Sequence, residues 1–171
     1  SAFLPLPGVN IDEMMQAACL ASSGDETPEG RSIVELGNTL GVSLNGVPQD
    51  VISVPFTAET RMSGVDAAGE QLRKGATDSV LQWVHSLGLP ERREELKALV
   101  DPVAREGGTP LVVASSTRGV LGVIQLKDVV KPGMRDRFDR IRAMGIKTVM
   151  ITGDTRLTAQ AIAAEAGVDD F

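Results

Sequence analysis

The hydrophobic pattern changes twice along this 171-residue chain, and those changes limit the folds that it can adopt. Up to about residue 41, apolar side chains recur every three or four residues, as they do on amphipathic helices. Residues 51–126 hold short strand-like runs that meet at glycine-containing turns, with helical segments between them. After residue 127 the order is helix, short apolar strand and helix, which is half of a parallel α/β unit. The sequence therefore predicts an α+β domain over 1–126 and an α/β fragment over 127–171.

Caps and helix breakers set the expected limits of the elements. Asn10 caps a first helix that ends at Gly24, and Thr27 caps a second helix that starts with Pro28 and ends at Gly41. Further helices are expected over 77–87, 91–106 (with a break at Asp101-Pro102), 134–144 and 154–166. Strands are expected over 51–56, 60–65, 70–74, 110–115, 120–126 and 147–151.

Composition excludes several classes of protein. The chain has 17 basic and 23 acidic residues and a net charge of −6, which argues against a general nucleic-acid binder. A single Cys and a single His provide neither a disulfide framework nor a structural zinc site of the usual kind. The dinucleotide motif, the phosphate-binding loop and the nucleophile elbow are all absent. No apolar run approaches the ~18 residues of a membrane span and no signal peptide opens the chain, so a cytoplasmic chain is expected.

Two stretches combine residue types that suit a nucleotide. In the first, Phe56 follows a strand and precedes a run of hydroxyls, an arginine and a glycine up to Gly64, so its ring could stack on a planar base. The second, Arg73-Lys74-Gly75-Ala76, places a cation before a glycine that lets backbone approach an anion. Local spacing alone favours plainer interpretations. By these, Phe56 is a core residue before an ordinary loop, and Lys74 lies at a solvated strand end. A hairpin would place the two stretches on neighbouring strands.

Acidic residues at helix starts allow two interpretations each. Asp25 and Glu29 lie four apart across the start of the second helix, where carboxylates can accept hydrogen bonds from a ligand or simply complement the helix dipole. Asp154 follows Ile-Thr-Gly where an apolar strand meets a helix, a place where phosphate ligands often bind. The plainer interpretation is that Asp154 or Thr155 caps the last helix. Asp128, between the two predicted domains, is either a hinge residue or a surface acid.

Taken together, these stretches resemble the ATP-binding subunit of Kdp-type potassium-transporting P-type ATPases. The matching residues are 25–32 (Asp-Glu-Thr-Pro-Glu-Gly-Arg-Ser), 56–64, 73–76, 127–128, 144–154 and 161–171. The Lys-Gly-Ala and Thr-Gly-Asp motifs are shared by P-type ATPases broadly, and the stretch from Phe56 to Gly64 is the specific one. The resemblance covers nearly the whole chain, with its motifs in the expected order.

The resemblance implies a fold and a set of roles. The fold is an antiparallel sheet flanked by helices, followed by part of a Rossmann-like phosphorylation domain. Phe56 would stack on adenine, Lys74 would lie beside the nucleotide, and Asp25 and Glu29 would make polar contacts. The pocket would also be lined by Thr57, Ala58, Glu59, Thr60, Arg61, Met62 and Ser63. Asp154 would be an accessory residue of the phosphorylation domain, and Asp128 would belong to the connection between the domains.

The departures from the family pattern are equally informative. The phosphorylated Asp of the family lies in Asp-Lys-Thr-Gly-Thr, which this sequence lacks, and the later Gly-Asp-Gly segment that helps to bind magnesium is missing too. The expected molecule is therefore a fragment that binds ATP or ADP but forms no phosphoenzyme and holds no metal by itself. In the parent, ATP and Mg²⁺ would drive K⁺ transport, with the actuator, phosphorylation and transmembrane domains and other subunits as partners. The fragment would be a cytoplasmic domain of a bacterial or archaeal membrane protein.

Two other functions are compatible with parts of the sequence. Its acidic first third could make it a non-catalytic interaction module that docks a basic partner, and such binding would depend steeply on salt. A stand-alone phosphatase of the haloacid-dehalogenase type would need a nucleophilic Asp near the start of its catalytic core. Asp154 comes too late in the chain for that role, so no phosphatase activity is expected.

Overall fold

The computed structural model describes residues 1–45, 48–127 and 130–171. These residues form two compact units. The first comprises Ser1–Val100 and Pro110–Leu126, and the second comprises Asp101–Thr109 and Lys127–Phe171. Asp128, the predicted connecting residue, lies outside the described residues.

A six-stranded sheet organises the first unit. Its strands are β1 (Ala2–Pro5), β2 (Ile52–Val54), β3 (Met62–Ala67), β4 (Glu70–Gly75), β5 (Gly108–Ser115) and β6 (Gly119–Lys127), in the spatial order β1-β6-β5-β4-β3-β2. The β1–β6, β2–β3, β3–β4 and β4–β5 pairs are antiparallel. The predicted fold class, an antiparallel sheet with flanking helices, is confirmed.

Helices cover both faces of this sheet. Residues of α1 (Ile11–Ala21) and α2 (Pro28–Thr39) share one apolar cluster with Leu111 and Val113 of β5. Residues of α3 (Thr77–Ser86) and α4 (Arg93–Arg105) share another with Val112 and Ala114. Because alternate residues of a strand point to opposite faces, β5 supplies both cores and is buried on both sides.

Local signals predicted the first helices and the central hairpin correctly. The Asn10 side chain accepts a hydrogen bond from the Asp12 amide at the start of α1, and Thr27 accepts one from the Gly30 amide at the start of α2. The β3–β4 hairpin turns at Ala68 and Gly69, which both have positive φ angles, of 44° and 81°. Two positive φ angles are the mark of the tight turn that suits the twist of paired strands.

Three sequence expectations were wrong in detail. β1 was not predicted, because a four-residue strand has too little pattern and here forms through pairing with β6. The expected break at Asp101-Pro102 is absent, since α4 runs through Pro102 and keeps Leu96 and Val103 buried on one side. The expected strand over 147–151 is reduced to one parallel bridge between Val149 and Asp170.

The second unit contains α5 (Met134–Ala143) and α6 (Arg156–Ala166), both close to their predicted limits. Thr155 caps α6, and Gly167 ends it in the left-handed conformation. The Thr158 hydroxyl, buried on α6, donates a hydrogen bond of 2.9 Å to the carbonyl of Gly108. Among the described residues, no helix has the length and apolar character needed to cross a membrane.

Asp169 holds the segment after α5 in place. Its Oδ2 accepts hydrogen bonds from the Thr148 amide (2.8 Å) and hydroxyl (3.1 Å), and its Oδ1 accepts one from Arg142 Nε (2.7 Å). The hydrogen bond from the Thr148 amide, together with that from Arg142, lowers the pKa of Asp169. The carboxylate is therefore the form that the folded unit stabilises.

We expect Asp169→Asn to speed hydrogen exchange at the Thr148 amide several-fold. An amide side chain has a single acceptor oxygen and cannot serve both Thr148 and Arg142 as the carboxylate does. Asp136→Asn, an exposed acid in the first turn of α5, is the matched control. Equal exchange rates at Thr148 in the two variants would show that Asp169 does not hold this segment.

Candidate functional site

Lys74 is the largest fully buried side chain of the first unit, with 2% of it exposed. It lies near the end of β4, where Lys74 Nζ is 2.6 Å from Asp25 Oδ2. A buried ammonium is very unfavourable unless a carboxylate or several acceptors surround it. The ion pair therefore explains how a lysine can occupy this interior position, and the interpretation of Lys74 as a solvated strand end is wrong.

The loop between α1 and α2 fixes the Asp25 carboxylate. The Asp25 amide donates to the carbonyl of Ser22 (3.0 Å), and Asp25 Oδ1 accepts a hydrogen bond from the Thr27 amide (3.0 Å). Burial raises the pKa of Asp25, but the hydrogen bonds from Lys74 and Thr27 outweigh it, so the net pKa lies below its usual value of 3.8. Both carboxylate oxygens thus have partners within the protein.

Ser63 lies beside this ion pair. It pairs with Lys74 across β3 and β4 and is 6% exposed. Its neighbour Gly64 pairs with Arg73, and a Cβ at Gly64 would overlap the carbonyl oxygen of Leu72 and lie 2.8 Å from the carbonyl carbon. The hairpin therefore brings Ser63 and Lys74 together, as the sequence predicted.

Phe56 precedes a single hydrogen-bonded turn. Its side chain is 60% exposed, so it is not a core phenylalanine. The Arg61 amide donates to the Thr57 carbonyl (2.8 Å), and the hydroxyls of Thr57 and Thr60 are 2.8 Å apart. An exposed aromatic ring held by an ordered turn is available to stack on a planar ligand.

Gly75 links this turn to the end of β4. The Ala76 amide donates to the Arg61 carbonyl (3.2 Å), and a Cβ at Gly75 would overlap that carbonyl oxygen and lie 2.9 Å from Met62 Cα. Arg61 itself has a φ of 53°, an uncommon conformation for a residue with a side chain. The glycine of the Lys-Gly-Ala motif thus allows β3 and β4 to approach each other closely at this point.

The remaining predicted pocket residues lie at the surface of the same unit. Ala58 and Glu59 are exposed in the turn, and Met62 is half-buried at the start of β3. Glu29 is exposed in the first turn of α2, next to the loop that carries Asp25. The structure thus brings Asp25, Ser63 and Lys74 into one cluster, with Phe56 on the adjoining turn.

Asp154 lies in the second unit and is exposed. Its Oδ2 accepts a hydrogen bond from the Thr152 hydroxyl (3.1 Å), which in turn accepts one from the Asp154 amide (3.1 Å). Of the two candidate caps of the last helix, Asp154 and Thr155, the structure shows Thr155 in that role. Within the described residues, no group of three or more His, Cys, Asp or Glu side chains could hold a metal ion.

Gly30 was not recognised as part of the site. It is buried in the first turn of α2, and a Cβ there would lie 2.6 Å from both Asp25 Cβ and the Asp25 carbonyl oxygen. The available signal was a glycine inside a predicted helix, where it is unfavourable by roughly 1 kcal/mol relative to alanine. Such a glycine usually has a packing or functional reason.

Comparison with known proteins identifies the family of this chain. Residues 9–171 match the haloacid dehalogenase-like hydrolases, and the chain belongs to that family. Over its full length it is 58% identical to a potassium-transporting ATPase ATP-binding subunit of Rhizobium meliloti and 53% identical to one of Xanthomonas campestris. These matches confirm the resemblance drawn from the sequence. The chain spans about a quarter of the length of these relatives, 25% in each case.

Two solved structures of P-type ATPases are similar to this fold. A zinc-transporting PIB-type ATPase in its E2.Pi state covers 100% of this chain, with 26% of its own length, at a TM-score of 0.65 and 21% identity. The N-domain of HMA8, a copper-transporting P-type ATPase, covers 75% of this chain with 98% of its own length, at a TM-score of 0.56 and 14% identity. At such identities the likeness shows the fold alone.

Proposed function

We propose that this chain binds ATP at the cluster formed by Phe56, Ser63 and Lys74. The proposal rests mainly on one observation, the exposed Phe56 ring on the turn joined to the buried Lys74 segment. The ring stacks on adenine, Ser63 and the turn from Thr57 to Met62 line the pocket, and Glu29 adds a polar contact from α2. The names of the relatives, which describe ATP-binding subunits, support the choice of nucleotide.

Lys74 contributes positive charge from within the protein. Its ammonium is already paired with Asp25, so it polarises the pocket wall and does not act as a free phosphate clamp. Recognition therefore depends on stacking and shape more than on phosphate contacts, and we expect weak binding. A millimolar dissociation constant corresponds to about −4 kcal/mol.

In the longer parent, this binding serves potassium transport. We infer that residues 1–126 form a nucleotide-binding domain and residues 127–171 part of a phosphorylation domain, with Asp154 as an accessory residue. ATP held by the first would present its γ-phosphate to an Asp elsewhere in the parent, and positioning and charge neutralisation would speed the transfer. Mg²⁺ would accompany ATP in the parent, and the described residues contain no group of three or more His, Cys, Asp or Glu side chains that could hold it. The parent is a membrane protein, this part of it is cytoplasmic, and the other domains and subunits are its partners.

We expect Phe56→Ala to weaken ATP binding about tenfold or more while leaving stability unchanged. Base–aromatic stacking contributes ~1–3 kcal/mol per base, and the exposed ring buries little surface in the folded chain. Ile52→Ala removes another exposed apolar side chain, 66% exposed, and is the matched control. Both affinities can be measured by NMR titration of the 171-residue chain with ATP.

The same titration tests the proposed function as a whole. The amide chemical shifts of residues 56–64 and 73–75 should change when millimolar ATP is added. If they stay in place, the cluster does not bind the nucleotide. Shifts elsewhere that depend steeply on salt would instead favour an acidic docking module.

A further inference from the structure

Asp25, the partner of Lys74, is held by residues of the loop between α1 and α2 and of the first turn of α2. Asp25 directs Oδ2 at Lys74 and Oδ1 at the Thr27 amide, and the Thr27 hydroxyl accepts a hydrogen bond of 3.1 Å from the Gly30 amide. Asp25, Thr27 and Gly30 therefore act as one unit, which we call the lysine bracket. Its members contact one another, and Asp25 is the member that contacts Lys74.

Gly30 is the member that fixes the geometry of the bracket. A Cβ at this position would overlap the Asp25 carboxyl carbon and lie 2.6 Å from the Asp25 carbonyl oxygen. A flexible side chain can rotate away from such a contact, but a backbone carbonyl cannot. Any side chain at position 30 must therefore displace the backbone of Asp25, and with it the carboxylate that pairs with Lys74.

We propose that Gly30 is a positioning residue for nucleotide binding, which acts through Asp25 on the Lys74 ammonium without touching the ligand. This inference rests on the proposed function, and it changes the role expected for Asp25 from a ligand contact to that of the partner that positions Lys74. The buried cation of the cluster is Lys74. Because electrostatic interactions are strong in a low-dielectric interior, a small displacement of the Lys74–Asp25 pair changes the electric field at the ligand strongly.

The test compares Gly30→Ala with Gly37→Ala. Both glycines are buried in α2, and a Cβ at Gly37 would overlap Cys19 Sγ, away from the bracket. The two variants thus share the same substitution and the same helix, but the added methyl group meets backbone at Asp25 in one and the end of a side chain at Cys19 in the other. We expect Gly30→Ala to weaken ATP binding about tenfold and Gly37→Ala to change it less than twofold.

A second readout does not depend on ATP. The ¹⁵Nζ and ¹³Cε resonances of Lys74 report the surroundings of its ammonium in the free chain. We expect them to shift in Gly30→Ala and to stay in place in Gly37→Ala. Unchanged Lys74 resonances in Gly30→Ala would overturn the inference, whether or not the chain binds ATP. Shifted resonances with unchanged ATP affinity would overturn it too.

A second variant tests the bracket through its charge if Gly30→Ala fails to fold. Asp25→Asn preserves the shape of the bracket and removes its charge, and Glu26→Gln, at the exposed neighbouring position, is the control. Asp25→Asn should shift the Lys74 resonances and weaken ATP binding, whereas Glu26→Gln should do neither. If the unmodified chain binds no ATP, the proposed function fails, and the Lys74 resonances still decide whether the bracket positions the lysine.

Discussion

Replacing Lys74 by Met should destabilise the first unit by about 3 kcal/mol at neutral pH, the typical cost of removing one partner of a buried ion pair. Methionine retains most of the aliphatic stem, so the loss comes from the Asp25 carboxylate, whose side chain is only 14% exposed and loses the ammonium 2.6 Å away. The free energy of unfolding, measured in urea for the variant and the unmodified chain, checks this value.

The difference in the free energy of unfolding between Lys74→Met and the unmodified chain should also depend on pH. The pKa of Asp25 is lowered in the folded chain, so its stabilising effect is complete above its usual pKa of 3.8 and is lost as the pH falls through the lower folded value. The stability difference between Lys74→Met and the unmodified chain should therefore be constant near neutral pH and shrink in acid below 3.8. A difference that stayed constant into strong acid would show that the ion pair is not its source. Lys97→Met, at an exposed position of α4, controls for the loss of a positive charge.

Gly64→Ala should also cost about 3 kcal/mol of stability, at the upper end of the usual range for overpacking. The new methyl group would overlap the carbonyl oxygen of Leu72 on the neighbouring strand, and no side-chain rotation can relieve a conflict with backbone. Gly64 pairs with both Val54 of β2 and Arg73 of β4, so the strain affects the sheet on either side.

Gly153→Ala provides the reference for that measurement. Position 153 has no heavy atom within 4 Å of an added Cβ, so the substitution should change stability little. Urea unfolding gives a midpoint and a slope for each variant. A lower midpoint at an unchanged slope indicates a less stable folded state, whereas a changed slope indicates a change in the unfolded or folded ensemble. A Gly64→Ala chain as stable as Gly153→Ala would show that the two strands can separate enough to admit a methyl group.

Features encoded within a few residues were predictable from the sequence. Asn10 and Thr27 cap helices because a short polar side chain can reach an amide two or three residues along. Gly69 marks the turn after Ala68 because a glycine adopts a positive φ angle without steric conflict. The predicted fold class followed from these signals and from the change in hydrophobic period.

Features that depend on distant partners were not predictable in this way. β1 becomes a strand by pairing with β6, whereas the apolar run at 147–151 forms only one bridge. The burial of Lys74 depends on a carboxylate 49 residues earlier in the chain, so spacing favoured a surface lysine. The family resemblance singled out Lys74 and Asp25, but their contact and the need for Gly30 beside it came from the structure.

The pairing of β1 with β6 has a consequence for how the chain folds during synthesis. Phe3 pairs with Ile124, and both belong to the apolar cluster under α1 and α2. On the ribosome, strands β2 to β5 can pair with their neighbours while β1, which precedes them in the chain, still has no partner. Pairing β1 with β6 closes the long loop between them, and contacts that offset the entropic cost of this closure form only after β6 has been synthesised. Among these six strands, β1 is synthesised before the others and pairs last, and until β6 emerges one core of the sheet stays open to water and to other nascent chains.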